Sequence, residues 1–165
     1  MQKQNITHTE FNGYVSKICR DVVVSNWRPD IIVGICRGGA LPAVMISQYF
    51  DIPCAMLNIS LRDFPELTCH DLALSDDAFS GKKILVVDDI NDSGATLNWL
   101  MEDWQSSCMP TNEKWHAVWN HNVKFAVIVD NLSSDCKVAI DYTGFEINKA
   151  ERDVWINFPY EEWWT

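Results

Sequence analysis

The stretch Ile84-Leu85-Val86-Val87-Asp88-Asp89-Ile90-Asn91-Asp92-Ser93-Gly94-Ala95-Thr96-Leu97 carries more information than any other part of this 165-residue chain. Its first four residues are aliphatic and mostly β-branched. A short apolar run of this kind suits a central strand buried on both faces. Asp88 and Asp89 then fall at the carboxyl end of the strand, the rim where open α/β sheets bind ligands. Adjacent carboxylates repel one another and lose solvation when buried. They are retained where something rewards negative charge, such as vicinal sugar hydroxyls or a divalent cation. Asp92-Ser93-Gly94-Ala95-Thr96 follows as a loop of small residues opening a helix. Free N–H groups at a helix start, the helix dipole and the Ser93 and Thr96 hydroxyls together suit a phosphate. Asp92 stands beside this cradle as a general base or as a cap. Strand, acid pair and cradle in one unbroken run point to a phosphorylated sugar.

A second rim loop is Ile31-Ile32-Val33-Gly34-Ile35-Cys36-Arg37-Gly38-Gly39-Ala40-Leu41-Pro42. It too is a buried strand ending in a turn. Glycines permit unusual backbone angles and expose N–H groups to an anion, and Arg37 can fork onto phosphate oxygens. A third segment, Asp153-Val154-Trp155-Ile156-Asn157-Phe158-Pro159-Tyr160, brings a broad π-face in Trp155. Stacking on such a face is worth about 1–3 kcal/mol per base in single-strand complexes. The chain has 8 tryptophans, and most of them are expected in the core.

These three segments, in this order, resemble the type I phosphoribosyltransferases. The likeness is strongest to the 6-oxopurine branch (xanthine–guanine and hypoxanthine enzymes) and covers most of the chain. The resemblance implies an α/β fold, a mostly parallel central sheet with helices on both faces, and a small C-terminal hood. It implies a single domain over 1–165, with a lid at about 60–80 and the hood at about 143–165. Phosphoribosyl diphosphate and a nucleobase are the implied substrates, with Mg2+ as cofactor. Asp88 and Asp89 would hold the ribose hydroxyls and the metal. Asp92, Ser93, Gly94, Ala95 and Thr96 would hold the 5′-phosphate, with Asp92 also catalytic, near the purine N7. Arg37, Gly38 and Gly39 would hold the diphosphate. Trp155 would stack on the base and the Ile156 backbone would meet its edge.

Two departures stand out. The branch places a lysine after its fourth strand to contact the exocyclic oxygen of the purine; here the position falls at Asp130-Asn131. Asn131 is therefore the expected base contact, uncharged and weaker. The lid reads Ser60-Leu61-Arg62 where the family often has a Ser-Tyr pair. The competing readings are a non-catalytic phosphoribosyl-diphosphate-binding regulatory protein, a transferase for another base, and a receiver domain. Receiver domains carry an Asp-Asp pair near their start, whereas this pair lies mid-chain.

Composition bounds the rest. A chain of this length fits one domain with an adequate core. Thirteen basic against 23 acidic residues give a net charge of −10, which argues against nucleic acid as partner. It also sets a tension with a polyanionic substrate, which only a locally positive site can relieve. No apolar run suits a membrane span or a secretion signal, so a cytoplasmic setting is expected. The six cysteines form no C-x-x-C pair, so a zinc site is not expected. His116 and His121 read as surface residues, and Cys69-His70 lies in the lid without a supporting motif.

Helical spacing begins at Thr9 or Asn12 and runs through Tyr14, Val15, Ile18 and Val22, and recurs from Leu41 to Phe50. Strands are expected at 54–59, 83–87, 125–129 and 138–142, with an unassigned connector at 105–121. The terminal Tyr160-Glu161-Glu162-Trp163-Trp164 presents aromatics that are costly in water. They suit packing on the hood or on a second subunit, and a homodimer or homotetramer is expected.

Overall fold

The computed structural model describes residues 1–165. Five parallel strands form the central sheet in the order β3-β2-β4-β5-β6. They are β2 (Ile31–Cys36), β3 (Cys54–Asn58), β4 (Ile84–Asn91), β5 (Val123–Asn131) and β6 (Tyr142–Ile147). Side chains alternate across β4. Leu85 and Val87 join a core with α1 (His8–Val24) and α2 (Ala40–Phe50), whereas Ile84 and Val86 join one with α3 (Leu72–Phe79) and α4 (Ala95–Ser107). Both faces are covered, which is why the parallel strands read as unbroken apolar runs. The second core takes four of the eight tryptophans: Trp104 and Trp115 are fully buried, both stack with Trp119, and Trp99 packs against the same core.

Chain order sets where a ligand sits. From β2 the connection runs outward to β3; from β4 it runs the other way to β5. The sheet therefore reverses direction between β2 and β4, and such a switch point opens a crevice at the strands' carboxyl ends. The loops after β2 and β4 are the two rim loops singled out from the sequence.

A second, two-stranded parallel sheet pairs β1 (Gln2–Asn5) with β7 (Val154–Asn157), Gln2 opposite Val154 and Asn5 opposite Asn157. The hood thus takes a strand from each terminus. Arg152 donates to Gln2 Oε1 at 2.9 Å, and Lys3 meets Glu162 at 2.6 Å.

Several expectations need correction. Helix α1 starts at His8, not at Thr9 or Asn12. Thr7 caps it: its Oγ1 accepts from Glu10 N at 3.1 Å, and its own N–H donates to the Glu10 carboxylate at 2.8 Å. The strand expected at 138–142 begins only at Tyr142, and Val138 is buried in a loop under α4. Residues 143–147, assigned to the hood, run as β6 in the main sheet beside β5. The proposed lid at 60–80 is too long. Leu74 and Ala78 bury one side of α3 in the second core, which leaves 60–71 as the exposed segment. The unassigned connector splits into the end of α4 and a 3-10 turn at Glu113–Ala117.

Candidate active site

Asp88 and Asp89 end the apolar part of β4 and lie at the crevice. Asp88 is 8% exposed. Burial, then the neighbouring Asp89 charge, pushes its carboxyl well above the usual aspartate range. Burial raises Asp89 as well, against hydrogen bonds that favour its ionised form. Asp88 Oδ1 accepts from Asp89 N at 2.9 Å, and Asp89 Oδ1 from Ile90 N at 2.7 Å. No Lys or Arg side chain pairs with either acid. The protein therefore offers no cation to offset the charge this pair carries when ionised.

The loop after β4 leaves its donors open. None of the chain's backbone hydrogen bonds uses the amides of Ser93, Gly94, Thr96 or Leu97. The Ala95 amide has only a 3.3 Å bond to Ser93 Oγ. Gly94 sits at φ +90°, and a Cβ there would lie 2.4 Å from Cys136 N. The backbone of the 132–137 loop thus packs directly onto Gly94. Asp135 N donates to Ser93 O at 3.0 Å, and Asn98 Nδ2 donates to Asp135 O at 3.0 Å. These contacts fix the loop from behind while its amides stay unpaired at the start of α4, where the helix dipole favours an anion.

Across the crevice, Arg37 is exposed and its guanidinium lies 5.6 Å from the centre of the Phe64 ring, in the 60–71 segment. Gly38 packs against the acid pair: a Cβ on it would sit 1.9 Å from Asp89 Oδ2. Only glycine allows the two loops to meet. The C-terminal segment reaches the same point. The Tyr160 hydroxyl lies 3.0 Å from Gly38 O and 3.2 Å from Asp89 Oδ2. Burial, then the Asp89 charge, pushes this phenol far above its ordinary value, so it remains a donor. Its ring stacks on Phe158 at 5.5 Å and meets Phe11 edge-on at 5.6 Å.

Trp155 is 38% exposed, while the Ile156 side chain is buried in the core, so Ile156 can offer a ligand only its backbone. Asn131 differs from expectation. Its Nδ2 donates to Asp92 O at 2.8 Å; its Oδ1 accepts from Ser133 Oγ at 2.8 Å and from Lys149 N at 3.0 Å. The amide is bonded at both ends within the protein and the residue is 5% exposed, so Asn131 is a clamp between loops rather than a base contact.

Lys149 was missed in the sequence. Its ammonium lies 2.8 Å from Asp92 Oδ1 and 5.9 Å from the centre of the Trp155 ring. The only advance signal was a lysine six residues before Trp155 in a polar stretch, which also fits an ordinary solvated loop.

A divalent ion can be tested against these groups. No cluster of three His, Cys, Asp or Glu side chains is set to hold a metal by itself. Two adjacent acids without a cation suit an ion that takes its remaining ligands from substrate and water, the usual manner of Mg2+ with phosphates.

Residues 3–162 match the phosphoribosyl transferase domain family. Among characterised proteins, the chain is similar to xanthine phosphoribosyltransferase 1 of Saccharomyces cerevisiae, with 24% identity over 62% of this chain and 60% of that one. It is also similar to the hypoxanthine-guanine phosphoribosyltransferase of Schizosaccharomyces pombe, with 24% identity over 89% and 85% of the two chains. The match therefore spans less than two thirds of the first relative and most of the second. Among solved structures, a purine phosphoribosyltransferase from Pyrococcus horikoshii superposes with a TM-score of 0.68 at 23% identity, over 98% of this chain and 96% of that one. The Helicobacter pylori xanthine-guanine-hypoxanthine phosphoribosyltransferase gives 0.65 at 20% identity, over 98% and 95%. At these identities the superpositions speak for the fold, and it is the match over nearly the whole length that makes this chain a member of the phosphoribosyl transferase domain family.

Proposed function

We propose that the protein transfers the 5-phosphoribosyl group of phosphoribosyl diphosphate to a 6-oxopurine (guanine, xanthine or hypoxanthine), releasing diphosphate and a nucleoside monophosphate. The observation that carries this reading is the loop at 93–97, where the Ala95 amide alone is bonded, beside an Asp88–Asp89 pair that no Lys or Arg meets. A phosphate and a vicinal diol carried on one pentose suit those two features.

In this reading the cradle holds the 5′-phosphate, and Asp88 and Asp89 accept hydrogen bonds from the ribose diol. Arg37 and the Gly38–Gly39 backbone face the diphosphate. A purine nitrogen donates its electron pair to C1′ to form the new C–N bond while the C1′–O bond breaks, and the bonding pair of that C–O bond leaves with diphosphate. The proton on the other imidazole nitrogen passes to Asp92. Positive charge grows on the ribose in the transition state, next to the two acids. Asp88 and Asp89 are the residues that would hold Mg2+, which would neutralise charge on the leaving diphosphate. In this reading segment 60–71 covers the site and excludes water, a role supported by its Phe64 ring lying 5.6 Å from the Arg37 guanidinium.

The setting proposed is the cytoplasm, a reading supported by six unpaired cysteines. No helix is long and apolar enough to cross a membrane. A homodimer or homotetramer is also proposed. The outer face of α2 exposes Leu41, Val44 and Tyr49, the edge strand β3 exposes Met56, and Trp163 and Trp164 lie open at the C-terminus. A monomeric mass at micromolar concentration would count against assembly.

The deciding experiment incubates the protein with Mg2+, phosphoribosyl diphosphate and a panel of free bases. Nucleotide formation from a 6-oxopurine is expected. Tight binding of phosphoribosyl diphosphate with no nucleotide from any base would favour a regulatory binding protein instead.

A further inference from the structure

We propose that His70 is a positioning residue: it anchors the C-terminal stem of the 60–71 segment to α4, so that only the tip, residues 61–67, moves over the site. The proposal rests on the reading of the site given above and adds what sets the hinge of its cover.

A buried acid singles out the anchor. Asp103 lies on α4 with its side chain only 7% exposed. A carboxyl taken out of water is costly unless it is hydrogen-bonded. The one side chain that bonds it is His70, whose Nδ1 meets Asp103 Oδ1. The Ser106 and Ser107 hydroxyls donate instead to the Asp103 backbone carbonyl, at 3.1 and 2.6 Å. The imidazole also lies against Trp99, one turn earlier on α4, with ring centres 5.5 Å apart. An imidazole carries a proton on Nδ1 in one neutral tautomer and in its charged form, so the ring can donate to the acid in either charge state.

The rest of the segment is tied at its neck. Cys69 N donates to Asn58 O at 2.8 Å, Asn58 Nδ2 to Leu67 O at 2.8 Å, and Ser60 N to Thr68 Oγ1 at 3.0 Å. These bonds run to the end of β3 or just beyond it, and β3 is an edge strand of the sheet. Past the neck, Leu61, Phe64 and Leu67 are exposed and join neither core. His70 supplies the second support, from a helix that begins at the proposed 5′-phosphate cradle. Without it the neck hangs from β3 alone, and the next fixed point is Asp71, which caps α3 through the Leu74 amide.

The consequence is chemical because water competes with the base. Water attacking C1′ forms a new C–O bond while the bond from C1′ to diphosphate breaks. The bonding pair leaves with diphosphate, a water proton passes to solvent, and ribose 5-phosphate results. Exclusion of water favours transfer over this loss. A cover that swings on a fixed stem returns to the same closed position at each turnover; one whose stem wanders does not. His70 acts through residues 61–67 rather than on the reacting atoms, and its effect is read in the share of phosphoribosyl diphosphate lost to water.

The test compares His70→Ala, His70→Asn and the double variant His70→Ala with Asp103→Leu. The Asn amide reaches the position of the imidazole Nδ1 and can still donate to Asp103; Ala cannot. The double variant has no anchor but also no orphaned buried acid, so its unfolding temperature should recover toward that of the parent. Two quantities are read. One is the rate of tryptic cleavage after Arg62, at the exposed tip, in ligand-free protein. The other is the ratio of ribose 5-phosphate to nucleotide formed from phosphoribosyl diphosphate, Mg2+ and a 6-oxopurine. Both should rise by roughly 2- to 10-fold in His70→Ala, the usual worth of one hydrogen bond. Both should stay raised in the double variant and lie near the parent values in His70→Asn. Parent values in His70→Ala overturn the proposal. So does a return to parent values in the double variant, which would trace the effect to global stability, or an Asn variant as impaired as Ala. If the parent forms no nucleotide from any base, the reading of the site fails, and the cleavage rates still decide whether His70 anchors the segment.

Discussion

At the residue scale, Asp92 and Gly38 separate chemistry from architecture. Asp92 is half-buried and reaches Lys149. Asp92→Asn keeps the shape and removes the proton acceptor. Turnover should fall by about 10²–10⁴-fold, the span usual for general acid–base groups, with KM for phosphoribosyl diphosphate nearly unchanged; full turnover would remove Asp92 from the chemistry. Gly38→Ala does the reverse. Its new methyl would overlap Asp89 Oδ2, 1.9 Å away, and force the acid or the diphosphate loop to move. Steady-state kinetics should show a raised KM for phosphoribosyl diphosphate first, with stability reduced by about 1–3 kcal/mol, as for overpacking elsewhere. The acids and the glycines were legible as a site because their neighbours in sequence are also their neighbours in space. Lys149 and Tyr160 were not, since their roles come from contacts 57 and 71 residues away, with Asp92 and Asp89.

At the scale of elements, the C-terminal segment acts as a strap. Tyr160 ties β7's exit to Gly38 and Asp89 through one hydroxyl, while Phe158 and Phe11 hold its ring. The hydroxyl orients the diphosphate loop against the acid pair, so Tyr160 is a positioning residue. Tyr160→Phe keeps the aromatic packing and removes the tie. The expected outcome is a several-fold higher KM for phosphoribosyl diphosphate with kcat little changed, since a neutral hydrogen bond contributes roughly 0.5–1.5 kcal/mol. A fall in kcat alone would place the hydroxyl in the chemistry instead. The strap also shows why the hood was only half legible. β1 reads Gln2-Lys3-Gln4-Asn5, with no apolar alternation, because it pairs along a single edge and buries almost nothing. Its strand state comes wholly from β7, more than 140 residues later. The misread lid has a similar cause. Residues 72–79 are short, and their apolar side is completed by α4 rather than by their own periodicity, so the polar run before them obscured the helix.

At the scale of the whole molecule, the doubly covered parallel sheet was legible because burial on both faces writes unbroken apolar strands into the sequence. Burial has an electrostatic consequence for acids at both ends of the sheet and in the C-terminal segment. Asp88, Asp89, Asp141 and Glu161 all have carboxyl groups raised by burial. A carboxyl raised in the folded state binds protons that the unfolded chain has already released. Its contribution is therefore full below the ordinary aspartate and glutamate range and is lost as pH rises through the raised folded values. The ligand-free protein should thus have a higher unfolding temperature at about pH 5 than at about pH 8, a difference on the order of 2–4 °C for each kcal/mol relieved in a domain of this size. Asp88→Asn should raise the unfolding temperature at the higher pH and flatten the profile, while abolishing turnover. Mg2+ with phosphoribosyl diphosphate should do the opposite to the parent. Both need the acids ionised, so their stabilisation should grow as pH rises and shrink toward pH 5. Thermal unfolding of parent and Asp88→Asn at the two pH values, with and without Mg2+ and phosphoribosyl diphosphate, measures all of this at once. A parent profile that is flat without ligand, or a ligand shift independent of pH, would mean that the acid pair does not carry the strained charge on which the proposed sugar and metal site depends.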